Sequence, residues 1–484
     1  MTATVPSSGP SRTRTAAVVT LLVGTVLALL FFEGSLLAVK PVALPSLSSN
    51  RAPATRPSEL AAAADYVSAE DRLHLSLLHA ACRENPEAIV SWTFGRSGLS
   101  QQDAAMNQKT LITRDDPELL VKLHQCPDVD LFLPAGIRDH GYCEDAIAYA
   151  KFLESRILPM WAIDTPLFDP KLNRTSKPVY LMPNIEMYEL NEEHWWNVDV
   201  VLCKTHSCYD RVAKWYAQVG NKRNTKVFYT RHTTSDIASF ARTHLGSDNL
   251  APKNYSNIKF IHTAGGSKFK GTQQVLDCWL SRPDLPPLDL YIAEDNYKTN
   301  YESWYADRIR ASKINFTAHD LDPLSFGKVI AEASFFLCTS RMEGYGRYIN
   351  HARASGGVIV TTNASPMNEL IQDNGMGVHV ATEHVINRRQ FLGGGFDGPL
   401  GLRDIEGMIA LFTGEAVCQA VDHVLTKMSA DEREAMVAKA QRQYHLDTKF
   451  FAKRMLELRQ FARQGGKGTF DDAPRLRREP LGGE

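Results

Sequence analysis

The chain has 484 residues, of which 44% are hydrophobic and 23% charged, with a formal net charge of -1. This length accommodates two domains of ordinary size with separate cores, and the composition is typical of a globular protein. The near-zero charge argues against a polyanion-binding surface as the main activity, so we expect no nucleic-acid partner.

The N-terminal residues predict a membrane anchor. Residues 16–39 form an apolar run long enough to span a bilayer. A cleaved signal peptide is the alternative, but its apolar region is usually shorter, and Leu36-Leu37-Ala38 is a poor cleavage site. Arginines before the span favour a cytoplasmic N-terminus. We therefore predict a cytoplasmic tail (1–15), a transmembrane helix (16–39) and a Pro-, Ser- and Ala-rich stem (40–58). This makes a single-pass type II protein of the Golgi or endoplasmic reticulum, with the remainder in the lumen.

The eight cysteines fit a lumenal setting without requiring it. Their spacing is not that of zinc ligands, so structural zinc is not expected. An oxidising compartment permits disulfides, but cysteines scattered along a chain of this length do not demand them. Cys278 and Cys338, in apolar segments, are expected to be buried thiols. Acceptor triplets for N-glycosylation begin at Asn173, Asn254, Asn315 and Asn363.

Strands alternate with helices over residues 59–252. An amphipathic helix is predicted over 58–83. Apolar runs predict strands at 88–94, 129–137, 178–190, 198–205 and 226–230, and helical patterns occupy 145–156 and 208–218. This alternation is typical of a parallel doubly wound sheet. Asp128-Val129-Asp130 could suggest a metal-binding DxD. It precedes its strand rather than ending one, however, which indicates a turn at the start of the strand.

Four polar residues lie near the predicted strand ends of this domain: His140, Glu186, Lys204 and Arg231. Such residues could face an acceptor substrate or could be ordinary rim residues. For any one of them the rim is the favoured interpretation.

A second α/β domain is predicted over 253–446. Strands are expected at 258–266, 288–294, 314–317, 334–340, 358–362 and 377–380, and helices at 273–280, 348–355, 416–428 and 430–446. A further helix is predicted over 449–462, within the segment 447–464. The tail 465–484 has almost no apolar residues, so we expect it to be disordered.

The loop after strand 258–266 has the physical features of an anion site. Gly265 and Gly266 expose backbone N–H groups, the following helix adds its dipole, and Lys270 adds a full charge. Its spacing is not that of a Walker A loop. Considered alone, it is better explained as a solvated basic turn. The candidate contacts are Gly265, Gly266, Ser267, Lys268, Lys270 and Gly271.

The chain from Ser340 to Leu370 reads SRMEGYGRYINHARASGGVIVTTNASPMNEL. Strand 334–340 runs into Glu343, Gly344, Tyr345 and Gly346, where glycine permits the close approach that a ligand-facing turn requires. Open α/β sheets bind ligands at such strand ends. An ordinary βαβ unit with a polar loop explains the pattern about as well.

The sequence of this segment closely resembles the donor-site signature of retaining GT-B glycosyltransferases, glycosyltransferase family 4 and its relatives. That signature is a Glu, seven residues, a second Glu, a Gly-hydrophobic strand and a downstream Glu. Glu343 and Glu369 match the first and the last, and His351 departs from the pattern at the second. In the family the first Glu contacts the donor sugar and the second holds the nucleotide ribose. The ribose contact therefore falls on His351.

The anion loop resembles the diphosphate loop of the same family, in which a Lys-Gly pair opens the helix after the first strand. Lys270-Gly271 matches that pair. Gly265-Gly266 stands where the family usually has an Arg, and Lys268 could compensate.

This resemblance implies two doubly wound Rossmann-like domains facing a cleft, the first on the acceptor side and the second binding a nucleotide-sugar, with 447–464 bracing the first. The implied reaction transfers a sugar to a hydroxyl of a glycan, protein or lipid, with retention at the anomeric carbon. Lys270 would stabilise charge on the departing diphosphate and Glu343 would fix the sugar. Such enzymes often use an N-terminal-domain histidine, for which His140 is the best positional match. No metal is expected, because no DxD ends a strand.

Two alternatives stay open. A pseudoenzyme could keep the fold and the nucleotide-sugar or glycan binding without turnover, which His351 and the missing Arg favour. A structural membrane protein could use its α/β domains only to scaffold partners. Nucleotide-sugar binding by the lumenal part would reject the second alternative.

Overall fold

The computed structural model describes residues 68–96, 107–124, 128–133, 135–165, 178–186, 192–373, 375–384 and 400–466, together with the short strands at 29–30, 390–391 and 394–395. Within these residues the chain forms two α/β halves, each built on one sheet, with parallel strands throughout the second sheet and through most of the first.

The first half contains seven strands: β1 (Leu29–Leu30), β2 (Val90–Ser91), β3 (Asp130–Phe132), β4 (Arg156–Leu158), β5 (Val179–Leu181), β6 (Val200–Cys203) and β7 (Lys226–Tyr229). Its helices are α1 (Ala69–Glu84), α2 (Leu119–His124), α3 (Tyr142–Phe152), α4 (Glu192–Trp196), α5 (His206–Val219) and α6 (Ile237–Leu245), and a 3-10 turn spans Ala135–His140. The predicted helix 145–156 ends at Phe152, and the strand β4 that follows was not predicted.

The sheet of the first half runs in the order β2-β4-β3-β1-β5-β6-β7. Neighbours β3 and β4, β5 and β6, and β6 and β7 are parallel. Leu29–Leu30 lies between β3 and β5 and is antiparallel to both. The DxD at 128–130 lies at the start of β3, where Asp130 is buried and paired with Arg156 at 2.8 Å, as expected of a structural strand start.

The predicted anchor falls almost wholly outside the described residues. Only Leu29–Leu30 of the span 16–39 is described, and these two residues form a strand rather than part of a helix. Among the described residues no helix has both the length and the apolar character needed to cross a bilayer. The tail 1–15, the stem 40–58 and residues 467–484 of the C-terminal tail are not described.

The second half contains β8 (Phe260–Gly265), β9 (Leu288–Ile292), β10 (Ile314–Ala318), β11 (Phe335–Cys338), β12 (Val358–Thr362) and β13 (Val378–Val380), followed by the short strands β14 (Glu383–His384), β15 (Gln390–Phe391), β16 (Gly394–Gly395) and β17 (Ala410–Leu411). Its helices are α7 (Thr272–Ser281), α8 (Glu294–Asn300), α9 (Glu302–Arg310), α10 (Pro323–Glu332), α11 (Arg347–Ser355), α12 (Met367–Leu370), α13 (Gly414–Thr426) and α14 (Ala430–Arg463).

The main sheet of this half is entirely parallel, in the order β10-β9-β8-β11-β12-β13. Counted from its own first strand, this order is 3-2-1-4-5-6, which is that of dinucleotide-binding doubly wound sheets. The strands are apolar on both faces. Phe335 and Leu337 pack into one apolar cluster, and Phe336 and Cys338 pack into another on the opposite face. Helices cover both faces, which explains the continuous apolar strands in the sequence.

A single helix, α14, ends the described chain, where two helices separated near residue 447 were predicted. The segment contains neither Gly nor Pro, so nothing local breaks the helix. Asp447, at the expected break, pairs with Arg231 at 2.7 Å and with Arg353 at 2.6 Å. Further along, Phe451, Met455, Leu458 and Phe461 pack into the core of the first half, so the helix belongs to both halves.

Three disulfides join Cys82 to Cys143, Cys203 to Cys208, and Cys278 to Cys418. The expectation of a free thiol at Cys278 is therefore wrong. The partner lies on α13, which packs beside α7 although the two cysteines are 140 residues apart in the chain. Cys338 is a buried free thiol, as predicted, and burial raises its pKa well above the usual value.

Candidate functional site

The strand order of the second sheet creates a crevice between β8 and β11. At this point the order reverses, and consecutive connections leave toward opposite faces of the sheet. Ligands of open α/β sheets bind at such switch points, beyond the carboxyl ends of the strands. The loop after β8 and the loop after β11 both open here, so the fold brings together the two loops that carry the sequence motifs.

These two loops are joined by backbone contacts. The N–H of Arg341 donates to the carbonyl of Phe269 at 2.7 Å, and the Thr339 hydroxyl donates to the carbonyl of Lys270 at 3.2 Å. Gly271 has a φ of +71°, and a Cβ atom there would overlap the carbonyl oxygen of Thr339. The glycine is therefore required by the close approach of the second loop.

Lys270 and Glu343 meet where the loops converge. The Lys270 ammonium contacts Oε1 of Glu343, and the Ser340 hydroxyl donates to the same oxygen at 2.5 Å. The ammonium also lies 4.1 Å from the ring centroid of Tyr348, whose hydroxyl donates to Ser340 at 2.7 Å. Lys270 retains 18% side-chain exposure and Glu343 retains 13%, so both are held in place yet reachable.

The remaining residues of the first loop form an open turn. Lys268–Lys270 is a 3-10 turn, and the Ser267 hydroxyl accepts the N–H of Phe269 at 3.2 Å. The space where a Cβ atom would stand at Gly265 or Gly266 is empty to 4 Å among the described atoms. Helix α7 begins directly after Gly271. Two glycines with open space beside them, a helix N-terminus and a lysine therefore lie in one short loop, which is the composition expected of an anion site.

The first half presents polar side chains to these loops from the ends of its own strands. Lys204, after β6, donates to Oδ2 of Asp145 at 2.8 Å and also to the side chain of Asn184. The Nε2 atom of His232, after β7, lies 3.3 Å from Oδ1 of Asp145. Glu186, after β5, lies so close to Gly344 that a Cβ atom at position 344 would overlap its carboxylate.

Tyr345 connects the loop after β11 with His232 of the first half. Its hydroxyl donates to the carbonyl of His232 at 2.6 Å, and its ring meets the His232 ring edge to face at 4.9 Å. His232 is stacked on its other side against Tyr149 at 5.4 Å. Gly346, with a φ of +96°, directly precedes α11, and Arg347 at the start of that helix donates to the carbonyl of Gly141. The Glu343–Arg347 segment thus touches the first half at several points.

Burial and neighbouring charges shift the pKa values of Asp145 and Glu186 in opposite directions. Burial opposes ionisation of Asp145, but Lys204, His232 and Arg347 outweigh it and hold its pKa well below the usual range. Burial raises the pKa of Glu186 to about 7, with Lys204 opposing that rise and Glu343 and Asp145 adding to it. Burial lowers the pKa of His232, which Asp145 partly offsets. At neutral pH, therefore, Asp145 is an anion and Glu186 is near its midpoint.

Two further predicted site residues contact the first half, and the side chain of a third is not described. His351 places its Nε2 atom 3.8 Å from Glu144, and His79 lies on the other side of that carboxylate at 3.2 Å. Glu369 accepts the N–H groups of His206 and Ser207 at 2.7 and 2.8 Å, at the start of α5. His140 lies in the 3-10 turn after β3, but its side chain is outside the described residues.

The sequence interpretation missed Asn184, Asp145 and His232, and it favoured the rim for Glu186 and Lys204. A usable signal existed, because a polar residue follows the end of each of β5, β6 and β7. Arg231, the fourth residue considered there, instead pairs with Asp447 of α14. Among the described residues no group of three or more His, Cys, Asp or Glu side chains has an arrangement that could hold a metal ion.

No family model matches the sequence, and neither does any curated protein sequence. Among solved structures, a glycosyltransferase from Rickettsia africae ESF-5 aligns at 12% identity with a TM-score of 0.40, over 58% of this chain and 69% of its own. Anabaena Alr3699/HepE in complex with UDP-glucose aligns at 13% identity with a TM-score of 0.40, over 81% of this chain and 95% of its own. Sucrose-phosphate synthase from Thermosynechococcus elongatus aligns at 13% identity with a TM-score of 0.39, over 56% of this chain and 59% of its own. With identities this low, the chemistry of this chain follows from the contacts described above.

Proposed function

We propose that this protein is a glycosyltransferase that moves a sugar from a nucleotide-sugar donor to a hydroxyl group of a glycan, protein or lipid acceptor. The observation that carries the proposal is the contact between Lys270 and Glu343 at the switch point of the second sheet. A cation and a carboxylate there suit the two ends of such a donor, namely its diphosphate and its sugar hydroxyls.

Each group has a defined part in the proposed reaction. Lys270, the N–H groups of the Gly265–Gly271 loop and the start of α7 stabilise the negative charge that grows on the departing diphosphate. Glu343 accepts hydrogen bonds from the sugar and so fixes its anomeric carbon relative to the acceptor. Retention of the anomeric configuration and a donor site that works without metal are parts of the proposal. Transfer that persists in EDTA and a product of unchanged anomeric configuration are the expected results.

A panel of UDP- and GDP-sugars tests the donor site. A ligand that binds only the native state raises the apparent melting temperature, so at least one sugar nucleotide should stabilise the protein. Lys270→Ala should lose about 1.5–3 kcal/mol of donor binding, because it removes a charge-assisted contact. The matched variant Lys427→Ala, at an exposed lysine beyond α13, should bind as the parent does. Donor binding without any turnover would instead favour the pseudoenzyme, and absence of donor binding would reject both.

We also propose a lumenal setting for the two halves. Three disulfides among the described residues suit an oxidising compartment. Asn254, Asn315 and Asn363 are exposed, as glycan acceptors must be. Protease treatment of sealed microsomes should spare both halves. Digestion of the halves there would reject the lumenal setting.

A further inference from the structure

Helix α5 of the first half is held at its N-terminus by a side chain of the second half. Glu369, on α12, accepts the N–H of His206 at 2.7 Å with Oε2 and the N–H of Ser207 at 2.8 Å with Oε1. The Ser365 hydroxyl donates to the same Oε1 atom at 2.6 Å. N–H groups in the first turn of a helix have no intrahelical acceptor, and the helix dipole favours negative charge there. The carboxylate therefore satisfies both donors across the boundary between the halves.

The second half also holds α5 along its side. The segment between β14 and β17 lies against this helix, and its carbonyl groups accept hydrogen bonds from α5 side chains. Trp215 donates to the carbonyl of Leu400 at 2.8 Å, and Gln218 donates to that of Gly401 at 2.8 Å. Leu402 packs into the same apolar cluster as Trp215. Helix α5 is therefore attached to the second half both at its end and along its length.

The start of α5 also fixes part of the polar cluster of the first half. Thr205 is the N-cap of the helix, and its hydroxyl accepts the N–H of Cys208 at 3.1 Å. Lys204 directly precedes the cap and donates to Asp145 at 2.8 Å. The disulfide between Cys203 and Cys208 closes this turn within the first half. A displacement of the helix start would therefore move Lys204 with it.

The same cluster faces the loop that carries Glu343. Glu186 lies against Gly344, and the Tyr345 hydroxyl donates to the carbonyl of His232 at 2.6 Å. The position of this loop therefore depends on how the two halves are held together. The anion loop after β8, in contrast, lies wholly within the second half.

We propose that Glu369 is a positioning residue that holds the two halves in the relative position required for the glycosyl transfer proposed above, on which this inference rests. It fixes the start of α5, and with it the first-half cluster opposite the Glu343 loop, without contacting the donor. The reacting groups come from both halves, and a misplacement of about 1 Å by a change far from the chemistry can slow a reaction about 100-fold. The contact is therefore expected to affect turnover rather than donor affinity.

Glu369→Gln tests this role, because the amide keeps the size but has one acceptor oxygen and turns an NH₂ group toward a backbone N–H. The donor is the sugar nucleotide of a UDP- and GDP-sugar panel that stabilises the parent most. The readouts are its Kd and the kcat of nucleoside diphosphate release into water. We expect an unchanged Kd and a kcat lower by about 10- to 100-fold. Hydrogen exchange at the N–H groups of residues 206 and 207 should become faster.

Glu432→Gln is the matched control. Glu432 accepts the N–H of Ser429 at 2.7 Å at the start of α14, so it is also a carboxylate at a helix N-terminus. Both of these residues belong to the second half, however. The variant should therefore keep the kcat of the parent and its exchange at residues 206 and 207.

His206→Pro removes one donor without changing Glu369. His206 is the first residue of α5, where proline is favoured, and Thr205 before it has the extended conformation that a following proline requires. This variant should lower kcat and leave the donor Kd unchanged. His206→Ala keeps the N–H but also loses the ring stacked on Tyr229, and it should keep the kcat of the parent. Since both changes act on one contact, the double variant with Glu369→Gln should lose less than the product of the single losses.

The outcomes separate the two proposals. Absence of turnover in the parent overturns glycosyl transfer, and the positioning role with it. A folded Glu369→Gln protein with the kcat of the parent overturns the positioning role alone. A weaker donor Kd that accounts for the lost turnover also overturns it, because Glu369 would then act on the donor. If Glu369→Gln does not fold, the comparison of His206→Pro with His206→Ala decides, and equal kcat values in these two variants overturn the role.

Discussion

The two halves of this protein use related architectures in different ways. The second half is a fully parallel sheet with main strands of three to six residues, and its site loops leave two neighbouring strands at the switch point. The first half has strands of two to four residues in a mixed sheet, and its polar groups come from four separate segments. The second half thus supplies the proposed anion site from two loops that carry local sequence motifs, whereas the first supplies a charge cluster that only folding assembles.

The disulfides offer the largest expected difference between the halves. Cys278–Cys418 closes a separation of 140 residues, whereas Cys203–Cys208 closes one of 5. Chain entropy then predicts that replacing the first pair by Ala lowers the free energy of unfolding by about 5 kcal/mol and replacing the second by about 2 kcal/mol. Urea denaturation of both double variants measures this. Equal losses would show that local packing, rather than the constraint on the unfolded chain, decides the effect.

Asp145→Asn tests the charge cluster of the first half. It leaves Lys204 buried beside a neutral partner, and breaking a buried pair in this way should destabilise the protein by about 3–5 kcal/mol. Because the folded-state pKa of Asp145 is depressed, its stabilisation is present above the ordinary value of about 4 and is lost as pH falls toward the folded-state pKa. The variant should therefore show a weaker fall in stability with acidification.

Asp307→Asn, in the second half, is the control for that measurement. Its pair with Arg310 is exposed on both sides, with 91% and 74% of the two side chains accessible, so its removal should change stability by about 0–1 kcal/mol. Comparable effects of the two variants would mean that Asp145 is not the centre of a buried cluster.

Gly344→Ala tests the contact between the halves. The added methyl group would overlap the Glu186 carboxylate, and such overpacking typically destabilises by about 1–3 kcal/mol. Donor binding through Lys270 should remain, because the added methyl group displaces Glu186 and not Lys270. Gly136→Ala, where the added atom meets no described atom within 4 Å, provides the comparison. A Gly344→Ala protein as stable as Gly136→Ala would show that the Glu186 carboxylate moves aside without cost.

His351→Glu has the smallest expected effect and separates two roles for this residue. The variant restores the residue usual in the resembled signature, but it also brings a second carboxylate toward Glu144. We expect a loss of about 0.5–2 kcal/mol in stability with little change in donor affinity. His351→Gln should show the smaller loss. Donor affinity that rises in the Glu variant would instead place His351 at the ribose.

The sequence predicted several elements of the second half because their signals are local, although the helices α8, α9 and α10 were not predicted. A strand expected over 358–362 is Val358–Thr362, and the helix expected over 348–355 is Arg347–Ser355. Apolar runs, glycine stops and loop residues lie within a few positions of one another there, so one segment contains most of what specifies its own structure. The Lys270 and Glu343 loops were singled out only through the family resemblance, because each loop considered alone fits an ordinary turn at least as well.

Tertiary structure decided the disulfide pairing, the length of α14 and the polar cluster of the first half. The sequence by itself determined the α/β class, since apolar periodicity depends on neighbouring residues. It could not determine that Cys278 pairs with Cys418, that α14 continues through Asp447, or that Asp145, Lys204 and His232 form one cluster. Those outcomes depend on which distant segments meet, and a polar residue after a strand looks the same whether it faces solvent or a partner half. For Glu186 the physical reason is its surroundings, because burial and three neighbouring charges from other elements set its pKa.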